Sequence, residues 1–172
     1  DKTFNKVVNG EVSGVYERKN YNSDFDERDT TVLGGGANVR LSLNRTFKVT
    51  FGTDYEQGTA RGENDITVNS DISYTQWSAS IHPSARLSGR NSLGAGYTYT
   101  AKHFTTNLTA DTNHVDRNDT LQSIEVHFKT HFSKRLDARV DYERIDKKSD
   151  KNGADIEFAS FDENRVTMEL LF

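Results

Sequence analysis

RVTMELLF, residues 165–172, ends a chain that is otherwise strongly polar. Val166, Met168, Leu170 and Phe172 share one parity, while Thr167 and Glu169 point the other way. That is the pattern of a β-strand with one apolar face, because successive strand side chains alternate between faces. Leu171 breaks it only mildly. Chain ends fray unless they dock, so the alternation predicts a terminal strand docked into a larger sheet.

The rest of the chain supplies that sheet. Residues 6–18 place Val8, Gly10, Val12, Gly14 and Tyr16 on one face. Residues 31–44 and 46–57 do the same with Leu33, Val39 and Leu41, then Phe47, Val49, Phe51 and Tyr55. Four more alternating segments follow at 75–87, 92–103, 120–132 and 136–146, so the tail is the eighth. The opposite faces are densely polar, with Arg40, Lys48, Glu125, His127, Lys129 and His131, then Asp137, Arg139, Asp141 and Glu143. No helical period competes over a long window.

Composition narrows the class. The 172 residues carry a net charge of -4, 28% charged and 33% hydrophobic residues, and a mean hydropathy of -0.79. No apolar run approaches the roughly 18 residues of a spanning helix, and so low an apolar fraction gives little for one large soluble core. Ten Phe, seven Tyr and one Trp against a single Pro argue against disorder. The absence of Cys removes disulfide frameworks and thiol chemistry. Mild acidity argues against general nucleic-acid binding. No signal peptide is present, which fits a mature chain, a trimmed one or a cytosolic protein.

Connections alternate in length. Short ones fall at 44–46, 88–91 and 133–135, and long polar ones at 19–30, 58–73, 104–119 and 147–162. All long loops then lie at one end, and an even strand number brings both termini to the other. Aromatics sort by end as well: Tyr16, Tyr55, Trp77, Tyr99 and Tyr142 toward the long loops, Phe47, Phe132 and Phe172 toward the tight turns. Two aromatic belts around an aliphatic band of about 9–11 tilted residues fit a bilayer-spanning strand.

With these features the chain resembles bacterial outer-membrane β-barrels of the small eight-stranded kind, similar in architecture to the OmpA transmembrane domain and OmpX. The tail Val166, Met168, Leu170 and Phe172 resembles the signal read by the barrel assembly machinery. Pieces such as HFSKRLDARVDYERID (131–146) also resemble hairpins of larger porins. The expectation is a single domain, 1–172: an all-β, closed, antiparallel up-and-down transmembrane barrel of eight strands with both termini periplasmic. The resemblance implies outer-membrane lipid and lipopolysaccharide as surroundings, the assembly machinery as a partner in biogenesis, and an extracellular loop partner of unknown identity. A soluble barrel with apolar residues inside is the competing reading, since alternation alone does not separate the two.

An eight-stranded barrel is just wide enough for side chains to fill, so its charges should be paired. Pairing across the 133–135 turn sets His131 opposite Asp137, His127 opposite Asp141 and Lys129 beside Arg139, whose acids would be Glu125, Glu143 or one from another strand. The next hairpin sets Arg86 opposite Gly94 and Ser84 opposite Gly96. Attraction between these charges is expected to hold them across the axis. Pro83 should mark a bulge or an early end to the fourth strand.

Candidates for chemistry are thin, and no catalytic, cofactor or metal site is expected. His127 and His131 share a face but lie about 13 Å apart on a strand, too far to share a metal. His103 and His114 sit near the third long loop, without the motifs of the lipid A acyl-modifying barrels. DFDERD (24–29) lacks the Gly and distal Glu of a calcium loop and reads, like KKSDKNGADIE (147–157), as a solvated loop. NRT, NLT and NDT are chance glycosylation sequons. The expected function is a structural or surface-interacting scaffold displaying four polar loops. The rivals are a channel or a piece of a larger transport barrel, a lipid-modifying enzyme, and a soluble ligand-binding barrel.

Overall fold

The computed structural model describes residues 7–20, 28–61, 70–133 and 136–171. It is a single antiparallel meander. Eight long strands run β1 (Val7–Lys19), β2 (Thr30–Ser42), β3 (Phe47–Ala60), β4 (Tyr74–Arg86), β5 (Asn91–Phe104), β6 (Arg117–Ser133), β7 (Leu136–Lys151) and β9 (Phe161–Leu171). A two-residue strand, β8 (Ala154–Asp155), and a 3₁₀ turn (Glu157–Ala159) lie between the last two. Each long strand pairs with its sequence neighbour, β9 pairing with β7. Among the described residues no pairing joins β1 to β9, so both are edges.

Register keeps the apolar parity in step across the sheet. Val8 pairs with Leu41, Leu41 with Val49, Val126 with Tyr142, and Tyr142 with Val166. A slip of one residue would turn a whole strand over, and the matched faces penalise it.

That apolar face is the exposed one. Ile81, Leu93, Val126, Phe128 and Val140 are all exposed, at about 40%. On the opposite parity of the same strands His82, Glu125, His127 and Asp141 are only partly exposed and Gly94 and Gly96 are buried, whereas Arg86, His131 and Arg139, nearer the tight-turn end, are exposed. A soluble barrel shows the reverse arrangement. Among the described residues few apolar side chains are buried: Val32, Ala60 and Phe104, all toward the long-loop end.

Several boundaries differ from the sequence reading. β6 starts at Arg117 and β7 runs to Lys151, so part of two expected loops is strand. There the ladder turns at Asn152 (φ 53°) and Gly153 (φ 79°), the left-handed pair that a tight hairpin demands. β4 neither bulges nor ends at Pro83; it continues to Arg86 and is paired with β3 from Tyr74 to Ala85. Its ladder to β5 is interrupted at 82–83 instead, consistent with proline lacking an N–H to donate. The hairpin after β4 is also shifted by two residues from the expected register: Ser84 faces Gly94 and Arg86 faces Ser92. Its turn is tighter than expected because the Leu87 N–H bonds to Asn91 O at 2.9 Å, while Ser88 Oγ accepts from the Arg90 and Asn91 N–H groups. At the β2–β3 turn, Asn44 Oδ1 accepts from the Thr46 and Phe47 N–H groups at 2.8 and 2.7 Å. Lys134 and Arg135 lie outside the described residues.

Candidate functional site

The polar face of β4 to β9 is the chemically dense surface. Its middle depends on small residues. Gly96 lies between His82 on β4 and Glu125 on β6, whose side chains meet above it at 2.8 Å; a Cβ on Gly96 would sit 2.4 Å from Glu125 Oε1. The His127 ring occupies the corresponding space above Gly94. Glycine therefore lets side chains two strands apart touch.

The expected pairings across the β6–β7 turn are present in the ladder: His131 with Asp137, Lys129 with Arg139 and His127 with Asp141. Asp137 accepts from both His131 and Lys129, the latter at 3.0 Å. Arg139 takes its acid from its own strand, Asp141 at 2.8 Å, rather than from Glu125 or Glu143. Glu125 is engaged by His82, and Glu143 by Ser123 (3.0 Å) and Arg165 (3.6 Å). Arg40 donates to Thr50 Oγ1 at 3.4 Å, and Lys48 lies opposite Ser84. Among the described residues the ion pairs between strand residues run within a strand, between neighbours or across one intervening strand. No bond across an axis is among them, and with β1 and β9 unpaired among the described residues the sheet presents no closed axis for such a bond to cross.

The aromatic residues divide. Tyr55 faces Trp77 across β3–β4, and the Trp77 and Tyr99 ring centroids are 5.2 Å apart. Tyr142 lies instead between Val126 and Val166 and donates to Asn164 Oδ1 at 2.8 Å. Tyr16 and Phe132 are exposed, and Phe47 pairs with Ala85. In the tail, Val166, Met168 and Leu170 form the exposed apolar row of β9, while Phe172 lies outside the described residues, as do Asp24 and Asp26.

A second cluster, at the long-loop end of the same face, escaped the sequence reading. Arg117 grips Asp119 with two bonds, Nε at 2.7 Å and Nη2 at 2.9 Å, and Lys147 reaches the same carboxylate at 3.0 Å. The Lys102 ammonium lies 3.8 Å from the Tyr74 ring centroid and 4.7 Å from that of Phe104. Tyr74 donates to Glu56 at 2.9 Å. The outward residues flanking this row are Thr120, Asn118 and Lys148, so it lies beyond the apolar band.

Electrostatics follow from this packing. Burial would raise the Asp119 pKa, but hydrogen bonds from Arg117, Ser149 and Lys147 hold it below the usual carboxylate range. Burial pushes Lys102 down despite the nearby Asp119. Tyr74 is pushed up by burial and by its bond to Glu56. The signal for this cluster was present in the sequence: Arg117, Asp119, Lys147 and Ser149 continue the inward parity of their strands into segments that read as loops.

The two histidines near the third long loop diverge, His103 lying on β5 and His114 in the loop. His103 bonds Asn118 at 2.7 Å, and His114 bonds Asp111 at 2.8 Å beside the Phe104 ring. Asp111 also accepts from the buried Asp71 N–H at 2.7 Å, tying two loops together. Among the described residues no group of three acidic, His or Cys side chains could hold a metal ion. No protein-family model, curated protein or solved structure matches the chain.

Proposed function

We propose that the chain is a closed eight-stranded outer-membrane β-barrel that acts as a structural and surface-interacting scaffold, with its polar loops displayed outward. The observation that carries this reading is the inverted face distribution in the middle of β4 to β7: Ile81, Leu93, Val126, Phe128 and Val140 are exposed, while His82, Gly94, Gly96, Glu125, His127 and Asp141 on the other parity are partly exposed or buried. Water would penalise that surface, whereas hydrocarbon accepts it. The apolar run Ile124, Val126 and Phe128 to Phe132 on β6 spans 124–132, close to the length needed to cross a bilayer. Closure follows from the solvent: a strand edge in lipid leaves N–H and C=O groups unsatisfied at several kcal/mol each. Lipid and lipopolysaccharide would contact the outer face, the assembly machinery would insert the chain, both termini would be periplasmic, and a partner would meet the loops. No nucleic-acid, cofactor or enzymatic role is proposed.

One observation favours a second reading, the wall of a wider channel. The described charges bond along the wall, and Arg139, Arg165 and His131 keep about half of their side-chain surface exposed, at 46%, 56% and 50%. Planar-bilayer recording separates the two. A scaffold with a filled lumen gives no steady current of porin size, and large uniform conductance steps would overturn it. Accessibility tests the membrane itself: single cysteines at Ala138, Val140 and Tyr142 should react with a lipid-phase reagent, and those at Asp137, Arg139 and Asp141 should not.

A further inference from the structure

The two edges carry complementary charges in one register. On β1, Glu17 and Lys19 point to the polar face and bond each other at 3.5 Å. On β9, Arg165 and Glu163 do the same at 3.0 Å. Each edge thus holds an acid and a base two residues apart, with about half of each side chain exposed. Read antiparallel, the order on one edge is the mirror of the other. We infer that β1 pairs with β9 of the same chain, Glu17 opposite Arg165 and Lys19 opposite Glu163.

Two further features agree with that register. It sets Tyr16 beside Val166, Gly14 beside Met168 and Val12 beside Leu170 on the apolar face, placing the long Met168 side chain next to a residue without one. These edge residues are the ones short of neighbours: Val12 is 85% and Met168 77% exposed, against 37% for Phe128 in mid-sheet.

The second feature is the stagger. Glu11 pairs with Asn38, Asn38 with Gly52 and Gly52 with Ser80. The row continues through Thr98 and Ser123 to Ile145, and from there to Glu163. Closing Glu163 onto Lys19 returns it to β1 eight residues beyond Glu11. Eight strands with a stagger of eight tilt by about 36°, inside the 35–45° range of membrane barrels. A stagger of ten would also fall inside that tilt range, so barrel geometry admits this register and the charge match selects it: at ten, Lys19 would face Arg165.

The inference rests on the membrane-barrel reading, and the test keeps the two separable. In the proposed register Val15 faces Thr167, within disulfide reach, whereas Ser13 is diagonal to Thr167 at about 7–8 Å, outside it. The chain has no native Cys. Val15→Cys with Thr167→Cys, folded into lipid vesicles and mildly oxidised, should form an intrachain disulfide about tenfold faster than Ser13→Cys with Thr167→Cys. Interchain dimers alone, equal rates for the two pairs, or no cross-link would each overturn the seam. Lipid-phase labelling of Val140→Cys in the same vesicles reports membrane contact whatever the disulfide does. A labelled but uncross-linked chain sinks the seam alone, and an unlabelled chain sinks the membrane reading.

Discussion

At the scale of single residues, glycine sets what the polar face can hold, and its neighbours decide how far each position tolerates change. A Cβ on Gly34 would lie 2.7 Å from the Tyr55 carbonyl oxygen and 3.2 Å from Glu56 Cα, atoms that move only with the strand. At Gly96 the obstacles are the Glu125 arm and the His82 ring, which can swing away at the loss of their mutual bond. Gly34→Ala should therefore destabilise by about 1–3 kcal/mol as backbone overpacking. Gly96→Ala should cost on the order of 1 kcal/mol, the worth of one hydrogen bond. Urea unfolding in vesicles checks the order; equal effects would mean that the β2–β3 ladder yields as readily as a side chain.

At the scale of elements, the extensions of β6 and β7 beyond the apolar band are held by Asp119. Its folded pKa is depressed by Arg117, Ser149 and Lys147 against the opposing effect of burial. A depressed carboxylate contributes stability above its unfolded pKa of about 3.9, and that contribution is lost as pH falls through the lower folded value. Asp119→Asn should thus be less stable than the parent at neutral pH, and the gap should close below about pH 4. Unfolding midpoints of the two proteins between about pH 2 and pH 7 test this. A gap that persists in acid would assign the effect to packing of the side chain instead of its charge.

At the scale of the whole molecule, the two faces should respond oppositely to charge. Val140 belongs to the exposed apolar parity, and Arg139 bonds Asp141 on the other. If lipid covers the apolar face, Val140→Arg should cost roughly 2–4 kcal/mol near the midplane. Arg139→Val should cost less, because the Asp141 it leaves lies partly exposed on the polar face, where water can replace the lost partner. Heat-resistant folded protein in membrane fractions measures both, and a greater loss for Arg139→Val would reverse the assignment of faces. Met168→Asp should likewise reduce the folded fraction, since it places a charge on the apolar row of β9.

The sequence by itself determined the strands, their meander order and the parity of their faces, because a period of two and turn residues are local properties. It also carried the ladder partners His131–Asp137 and His127–Asp141, since a tight turn propagates register to the residues nearest it. Which acid each base bonds was decided only by the tertiary structure: His82 reaches Glu125 across β5 because Gly96 leaves the space, and no pattern in β4 or β6 encodes that gap. The Asp119 cluster was legible only in part. Its residues keep their strand's parity, but polar side chains on both faces look like loop until three strands bring Lys102, Arg117 and Lys147 together. The edges obey the same division: Glu17, Lys19, Glu163 and Arg165 are written in the chain, yet only the tertiary structure sets both pairs on the polar face of unpaired edge strands, where the proposed seam would match them.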